Sequence, residues 1–482
     1  MRQAWWMLAM VALWPGLAAG AITRGPLLGD VTQGAITIRW ITDQPSLGTV
    51  QFGLSLAALT GSASETGTPR TDHEVRLTGL AASTRYLYIV SSGPDMAAGA
   101  EQYFTTAPTA CEPYRIAVFG DTRGATTFCD DLSDWAKVAT MIDGQAPELV
   151  VGTGDYVYAG EKTSCWDHWF DAVPKLFKHT PFYPAMGNHD YDTQTYTDES
   201  NAGLLNAQRW FSLPTGPEVG KYTTYYAFSF GNARFIVYDT YKDHAPGSAQ
   251  YQWIEAELAA AKADPNVQHS FVINHATFEG VGQFCFIGEQ AQKDNRAWIE
   301  PLVQQYEADA TFVGHEHNYV HVKKNGIHHV VTGGGGAPLE NTIILPCDQH
   351  LCDNPDLVKF DQCTFHAMIL DINGAHVTYT ALAEDGTTVL DTWEEDHWAT
   401  KVPVCLPPAP DGGTAGDAGP PPADAGAPPD AVVDAPAYDS AGNPLAAAGG
   451  GCCRVGARGG ATGAVPLALL CLAALALRRR RR

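Results

Sequence analysis

The sequence predicts an N-terminal β-sandwich joined to an α/β domain, followed by a disordered tail and a terminal hydrophobic helix. Residues 22–108 contain short runs of alternating apolar and polar residues separated by Gly, Pro and Ser, a pattern typical of antiparallel strands. From residue 114 onwards, apolar runs of strand length alternate with helix-like segments, as in α/β domains. After residue 407 the chain is rich in Pro, Ala, Gly and Asp, which cannot bury a core. A length of 482 residues also favours two domains with appendages.

Residues 1–21 have the pattern of a secretory signal peptide. Arg2 provides the positive start, residues 4–14 the apolar stretch, and residues 17–21 the small side chains of a cleavage region. We therefore expect an exported protein, at the cell surface or extracellular. The formal net charge of −23 argues against a nucleic-acid groove, which requires a basic face.

The expected sandwich, residues 22–108, shows clear strand alternation over residues 35–40, 75–77 and 86–90. It contains no grouping of residues that indicates catalysis. His73 is expected on the surface of a strand rather than in a metal site.

In the α/β domain, residues 114–400, five apolar runs each end at a residue able to bind a metal. These residues are Asp121, Asp155, the pair Asn188 and His189, His275, and the pair His315 and His317. Ligands of open α/β sheets bind at the carboxyl ends of the strands. Singly, each residue has a structural explanation, such as a helix cap or a buried histidine. Together the five favour one shared metal centre.

The types of ligand restrict the metals. Oxygen and imidazole donors without thiolates suit Fe, Zn or Mn. Two ions about 3.5–4 Å apart can grip a phosphate ester, and the two oxygens of Asp155 make it the natural bridge between them. If Tyr158 binds as a phenolate, one position should prefer Fe(III), because a phenol with an ordinary pKa near 10 needs a strong Lewis acid. A packing role for Tyr158, and ligation by nearby Tyr156 instead, are the alternatives.

This ordered set resembles the calcineurin-like metallophosphoesterases, and Tyr158 in the second block resembles the purple acid phosphatase branch. The resemblance covers residues 114–381, and residues 73–88 resemble the fibronectin-III-like module that precedes that catalytic domain. It implies a four-layer α/β/β/α metallophosphoesterase fold. It also implies an acid phosphatase that hydrolyses a phosphate ester with a dinuclear centre and a bridging hydroxide.

Carried over residue by residue, the resemblance implies two ligand sets that share one carboxylate. Fe(III) would be held by Asp121, Asp155, Tyr158 and His317, and a divalent Zn, Fe or Mn ion by Asp155, Asn188, His275 and His315. His189 would lie beside the phosphate, with Asp190 orienting its ring. Arg123 stands where many members carry a histidine, and either a phosphate contact or a surface ion pair is expected of it.

One departure from the family concerns the leaving group. Plant-type members carry another histidine after the fourth block, but residues 276–285 contain none. Either Glu279 or His189 is expected to supply the proton, or an alcohol that is a good leaving group needs no donor. The alternative functions are a phosphodiesterase or nucleotide pyrophosphatase, and a catalytically inactive surface-binding protein.

Cysteines and the C-terminus fit export. Eight cysteines precede the tail, and an even number in a secreted chain favours disulfides. Cys347 is expected to pair with Cys352 or Cys363, near a Gly run at 333–336 that either approaches the site or forms a flexible turn. Residues 406–451 read as an acidic linker. Residues 452–482, with Cys452, an apolar run and terminal arginines, resemble the MYXO-CTERM sorting signals. We therefore expect this segment to make the only membrane contact and an export sorting machinery to be a partner. The alternative is that the segment is a permanent membrane anchor.

Overall fold

A computed structural model describes residues 20–93, 95–97, 102–126, 128–192, 201–217, 224–340 and 346–404. The expected signal peptide lies almost entirely outside these residues, as do the linker at 406–451 and the terminal segment at 452–482. In the described ranges, no helix has both the length and the apolar character needed to cross a bilayer.

The N-terminal part consists of eight strands in two antiparallel sheets. They are β1 (Ile22–Gly29), β2 (Ala35–Ser46), β3 (Gly48–Gly53), β4 (Gly61–Ser64), β5 (Arg70–Thr78), β6 (Arg85–Ser92), β7 (Asp95–Ala97) and β8 (Tyr103–Thr105). One sheet has the order β1-β2-β5, and the other the order β4-β3-β6-β7, with β8 also pairing to β6. Ile38 and Trp40 of the first sheet and Val50 and Tyr88 of the second belong to one buried cluster, so the sheets pack face to face.

The expectation that His73 lies at the surface is wrong. Its side chain is fully buried, stacks on Trp40 with 5.0 Å between ring centroids, and pairs through Nδ1 with Glu65 Oε2 at 2.7 Å. The alternating pattern of β5 places His73 on the inner face, and a buried carboxylate satisfies its ring.

Two further sheets form the α/β part. Their strands are β9 (Tyr114–Phe119), β10 (Leu149–Gly152), β11 (Phe182–Pro184), β12 (Tyr226–Phe230), β13 (Ala233–Val237), β14 (His269–Ile273), β15 (Ala310–Val313), β16 (Tyr319–Lys324), β17 (Ile327–Thr332), β18 (Leu357–Asp361), β19 (His366–Asn373), β20 (His376–Ala383) and β21 (Val389–Asp396). The first sheet has the order β11-β10-β9-β19-β20-β21 and the second β12-β13-β14-β15-β17-β16-β18. β9, β10 and β11 run parallel, as do β13, β14, β15 and β17, so their carboxyl ends meet at common edges.

Helices cover the outer faces of both sheets. They are α1 (Ser133–Gly144), α2 (Thr163–Asp171), α3 (Ala202–Trp210), α4 (Ala249–Ala263), α5 (Gln283–Ile287), α6 (Gln290–Asp294) and α7 (Glu300–Gln305), with a 3₁₀ turn at Leu176–Lys178 and a π turn at Asn295–Ile299. In α1, buried Trp135, Val138, Ala139 and Ile142 recur at helical spacing.

Alternate residues of the strands separate the layers. Val118 of β9 belongs to the cluster between the two sheets, whereas its neighbour Phe119 packs with Trp135 of α1. In the second sheet, Ile273 faces the shared core and Val272 packs with Leu258 of α4. The order of layers is therefore helix, sheet, sheet, helix.

The sandwich and the α/β part share one continuous core. The Tyr183 hydroxyl of β11 accepts a hydrogen bond from the Val31 backbone N–H at 2.7 Å. In the other direction, the Tyr88 hydroxyl of β6 donates to the Lys178 carbonyl at 2.7 Å. These buried polar contacts fix one part against the other.

Disulfides link Cys129 to Cys165, Cys285 to Cys352, and Cys347 to Cys363. Of the two partners expected for Cys347, Cys363 is the one it contacts, because Cys352 reaches back to the segment after β14.

Candidate metal centre

Strand ends from both sheets deliver acidic and imidazole side chains to one place. Asp121 follows β9, Asp155 follows β10 and His275 follows β14, and one ligand atom from each lies within 4.8 Å of the others. All three side chains are essentially inaccessible to solvent. The neighbouring β15 brings His315 and His317 to the same cluster. His315 donates its backbone N–H to both carboxylate oxygens of Asp121, at 3.0 and 2.9 Å.

The loops that carry these residues are unusually close to one another. A Cβ atom on Gly154 would lie only 2.6 Å from the Gly187 nitrogen and 2.7 Å from His275 Nδ1, so the loops can meet only without a side chain there. Asp121 and Asp155 each adopt a φ of 55°, and His315 a φ of 71°. This left-handed conformation is uncommon for residues other than Gly, and it turns the side chains sharply out of the strand ends.

Backbone carbonyls fix the rings of two histidines. His275 Nδ1–H donates to the Thr153 carbonyl at 2.8 Å, and His317 Nδ1–H donates to the Pro338 carbonyl at 2.7 Å. In each ring the remaining nitrogen, Nε2, therefore carries a lone pair. His275 Nε2 lies 3.4 Å from Asp155 Oδ1, and His317 Nε2 lies 3.5 Å from Asp121 Oδ1.

Glu289 fixes the third ring and was not expected from the sequence. Its Oε1 lies 2.9 Å from His315 Nε2, and the face of that ring stacks on Phe284 with 4.0 Å between centroids. The carboxylate accepts a hydrogen bond from Nε2–H, which turns His315 Nδ1 toward His275 Nε2 at 3.2 Å. Carboxylates commonly orient metal-binding histidines in this way.

The inward-facing atoms of the cluster are carboxylate oxygens and imidazole nitrogens. Burial lowers the pKa of His275 to about 3, so its ring stays neutral. Burial, with the nearby Asp155 charge, raises the pKa of Asp121 well above its ordinary value. The pKa of Asp155 is lowered despite burial, because its interactions with His275, His189 and Arg123 outweigh the cost of desolvation. Carboxylate oxygens and imidazole nitrogens gathered this closely in a buried cluster fit a site for cations.

Asp190 supports the backbone, which corrects the expectation that it orients the His189 ring. Its buried carboxylate accepts hydrogen bonds from the backbone N–H groups of Asp155, Tyr156 and Gly187, each at 2.8 Å. The His189 ring is held instead by the Tyr158 carbonyl, which lies 2.8 Å from its Nδ1. Asp190 therefore ties the loop after β10 to the loop after β11.

The loop after β11 also positions Asn188 and His189. The Asn188 side-chain oxygen accepts a hydrogen bond from the Tyr241 hydroxyl at 3.0 Å, a contact that the sequence did not indicate. His189 donates its backbone N–H to Asp155 Oδ1 at 2.9 Å. With Nδ1 engaged, Nε2 is the nitrogen of His189 that remains for a bound molecule.

Arg123 lies beside both Asp155 and Tyr158. Arg123 Nε is 3.5 Å from Asp155 Oδ2, and its guanidinium carbon is 5.3 Å from the centre of the Tyr158 ring. This places Arg123 at the candidate site rather than in an ion pair on the open surface. The rival Tyr156 is committed elsewhere, because its buried hydroxyl donates to the Ala185 carbonyl at 2.9 Å and accepts from the Gly154 N–H at 3.1 Å.

The Gly run at 333–336 lies against the same loops. The Gly335 N–H donates to the Gly120 carbonyl at 3.0 Å, and the Ala337 N–H donates to the Asp121 carbonyl at 2.7 Å. Of the two expectations for this run, the close approach to the site is the one that the described residues show.

The region that contains this cluster matches a known protein family. Residues 114–319 match the calcineurin-like phosphoesterases. Purple acid phosphatase 13 of Arabidopsis thaliana is 26% identical over 311 residues, which cover 55% of this chain and 54% of that protein. A probable inactive purple acid phosphatase, number 27 of the same plant, is 28% identical over 263 residues, covering 47% of this chain and 42% of the relative. The chain thus spans about half the length of these curated relatives.

Similarity of fold extends further along the chain. The purple acid phosphatase isolated from yellow lupin (Lupinus luteus) seeds superposes with a TM-score of 0.66 at 19% identity, covering 80% of this chain and 76% of that structure. At this level of identity the comparison establishes the fold alone. Residues 114–319 are therefore similar to the calcineurin-like phosphoesterases, and the proteins that the chain resembles include purple acid phosphatases.

Proposed function

We propose that this protein is an exported phosphomonoesterase of the acid phosphatase type that uses a dinuclear metal centre. One observation carries the proposal: His315 Nδ1 and His275 Nε2 face each other at 3.2 Å while the other nitrogen of each ring is engaged outside the cluster. Two buried imidazole nitrogens brought this close can both bind a cation placed beside them. The adjoining carboxylates of Asp121 and Asp155 supply the negative charge that such cations require.

The donors fit two cations of the Fe, Zn or Mn class, since they are oxygen and imidazole groups without thiolate. The residues proposed to hold them are Asp121, Asp155, Tyr158, Asn188, His275, His315 and His317. When bound, such ions would polarise a phosphate ester and lower the pKa of water. Fe(III) in the position next to Tyr158 and a divalent ion in the other are part of this proposal.

Arg123 and His189 are proposed to act on the substrate. The Arg123 guanidinium, already within 3.5 Å of Asp155, would hydrogen-bond a phosphoryl oxygen and balance its charge. The His189 ring is fixed through Nδ1, so its Nε2 would hold the proton that passes to the departing alkoxide. Asp190 would keep both loops in register by binding three backbone N–H groups.

Glu279, the other expected proton donor, is unsuited to that role. Although burial alone would raise its pKa, Lys324 and Arg296 lower it below the ordinary value. Their nitrogens lie 2.7 and 3.1 Å from Glu279 Oε1. A carboxylate held in its ionised form by two cations has no proton to give at neutral pH.

The central test is Asp155→Asn, compared with Asp385→Asn on an exposed turn as a matched control. The Asp155 variant should lose both ions and turnover of an aryl phosphate together, whereas the control should keep both. Metal content is measured by elemental analysis, and folding by circular dichroism. A folded Asp155 variant with full metal content and turnover would reject the proposed centre.

Two measurements refine the activity. Hydrolysis of an aryl phosphate faster than of a bis-aryl phosphate supports a monoesterase, and the reverse order supports a phosphodiesterase or nucleotide pyrophosphatase. A visible absorption band that disappears in Tyr158→Phe supports a phenolate on Fe(III), whereas a colourless, fully loaded wild-type protein rejects it.

Export is supported by the signal-like N-terminus and by three disulfides among the described residues, since disulfides persist in oxidising compartments. Cell fractionation should find the phosphatase activity outside the cytoplasm. Deleting residues 452–482 should release it from the cell surface if that segment is a sorting signal or an anchor.

A further inference from the structure

A second acidic group lies on the far side of the histidine loop from the metal centre. Glu316 stands between His315 and His317 in the sequence, but its carboxylate contacts the segment after β14, where Oε2 accepts the Gly282 N–H at 3.0 Å. Glu316 and Asn318 are fully inaccessible to solvent, and Glu340 is partly exposed. None of these side chains belongs to the proposed dinuclear centre.

Three polar head groups converge around Gly282. A Cβ atom on that residue would lie 2.6 Å from Glu340 Oε2, 2.8 Å from Asn318 Nδ2 and 3.0 Å from the Glu316 carboxyl carbon. Asn318 Nδ2 donates to Glu340 Oε2 at 3.2 Å. Glycine is therefore needed at 282 to let the two carboxyl groups and the amide close around one point.

Each of the three groups keeps one oxygen without a partner. Among the described residues, Glu316 Oε1, Glu340 Oε1 and Asn318 Oδ1 are buried and accept no hydrogen bond. Within the same ranges, neither glutamate forms an ion pair with Lys or Arg. Two neighbouring buried carboxyl groups with unpartnered oxygens and no basic partner are stabilised by a bound cation.

We propose that Glu316, Glu340 and Asn318 bind one hard divalent cation, best matched by Ca²⁺. The unpartnered atoms are all oxygens, two of them carboxylate and one amide, which is the donor set that Ca²⁺ prefers. The partial exposure of Glu340 leaves room for water molecules to complete the six to eight ligands that Ca²⁺ takes. Mg²⁺ demands closer octahedral geometry, so we expect it to bind more weakly.

Such an ion would join three segments behind the histidine loop. Glu316 and Asn318 lie on that loop, Glu340 follows the Gly run, and Gly282 belongs to the segment after β14. Cys352 already clips that last segment, through its disulfide to Cys285 and its backbone N–H bond to the Val281 carbonyl at 3.2 Å. The cation would hold His315 and His317 from behind, independently of whether the protein hydrolyses phosphate esters.

The test is a Ca²⁺ titration of the full chain after the dinuclear centre has been loaded, followed by calorimetry and elemental analysis. One further equivalent of Ca²⁺ should bind, and Ca²⁺ should raise the unfolding temperature. Glu340→Gln should weaken this binding by about tenfold or more, because it removes one charged ligand of similar shape. Glu394→Gln, on an exposed position of β21, is the control and should bind as the wild type does.

Two outcomes would overturn the inference. Absence of an additional equivalent in the wild type, or unchanged affinity in a folded Glu340→Gln variant, would leave a shared proton as the occupant of the group. Asp155→Asn separates the two sites, because it should empty the dinuclear centre and retain Ca²⁺ binding. Loss of Ca²⁺ binding in a folded Asp155→Asn variant would assign the ion to the dinuclear centre instead.

Discussion

Removing the carboxylate of Glu289 should weaken metal binding without touching a proposed ligand. Loss of a group that orients a metal-binding histidine typically costs 10–100-fold in affinity, about 1.4–2.7 kcal/mol. The contact from Glu289 Oε1 to His315 Nε2 is 2.9 Å, and only 8% of the His315 side chain and 23% of the Glu289 side chain are exposed. Little solvent screens the interaction, so Glu289→Ala should fall toward the upper end of that range.

The loss of affinity in Glu289→Gln should lie near the lower end of that range, because the amide oxygen can still accept the hydrogen bond from His315 Nε2–H. The assay is dialysis of each variant against a series of metal buffers, followed by elemental analysis. One ion, the one proposed to use His315, should dissociate at a higher free metal concentration than in the wild type. Glu394→Ala, whose side chain is 65% exposed, is the control. Wild-type retention of both ions by a folded Glu289→Ala protein would refute the role of Glu289 in positioning His315.

Three further predictions concern other contacts of the site and its frame. Arg123→Ala should lower kcat/KM for an aryl phosphate by about ten- to hundredfold with unchanged metal content, because it removes a charge-assisted hydrogen bond. Unchanged kinetics would mean that Arg123 has only a structural role. Trp169→Ala should destabilise the protein by about 3–5 kcal/mol in urea unfolding, because the ring is buried and its Nε1–H donates to Thr122 Oγ1 at 2.8 Å, next to Asp121 in the sequence. A loss of stability below about 1 kcal/mol would contradict that packing role. Glu395→Gln should destabilise the protein at pH 6, because a hydrogen bond from His328 lowers the pKa of Glu395 from 4.5 to about 2. That stabilisation is present above pH 4.5 and is lost as the pH falls through about 2. The unfolding temperatures of the wild type and the variant should therefore converge across this interval. A difference in unfolding temperature that does not depend on pH would contradict the assignment.

The sequence predicted the parts of the site that follow directly from strands. Asp121, Asp155 and His275 each come at the end of a short apolar run, and parallel strands bring such ends together. The apolar runs of β9 and β14 are likewise typical of strands that are buried on both faces. These patterns involve residues that are neighbours in the chain, so a single sequence is enough to show them.

Contacts between distant segments carried no such pattern. Glu289 reaches His315 from the junction between α5 and α6, which has no motif of its own, and Tyr241 reaches Asn188 from a loop after β13. Asp190 was expected to serve its neighbour His189 because the two are adjacent, yet adjacent side chains diverge, and its carboxylate turns to the backbone instead. The Glu65 carboxylate that satisfies the buried His73 ring lies on another segment, so the strand pattern of β5 could not indicate it.

The left-handed backbone at Asp121, Asp155 and His315 has a further consequence. Each such residue raises the energy of the folded chain, and the surrounding sheets hold it there whether or not cations arrive. Glycine at these three positions would relieve the main-chain strain but remove the metal-binding side chains. The same residues therefore lower thermal stability and provide metal affinity. A descendant released from its chemistry should drift toward Gly or Asn at these positions and gain melting temperature as it does so.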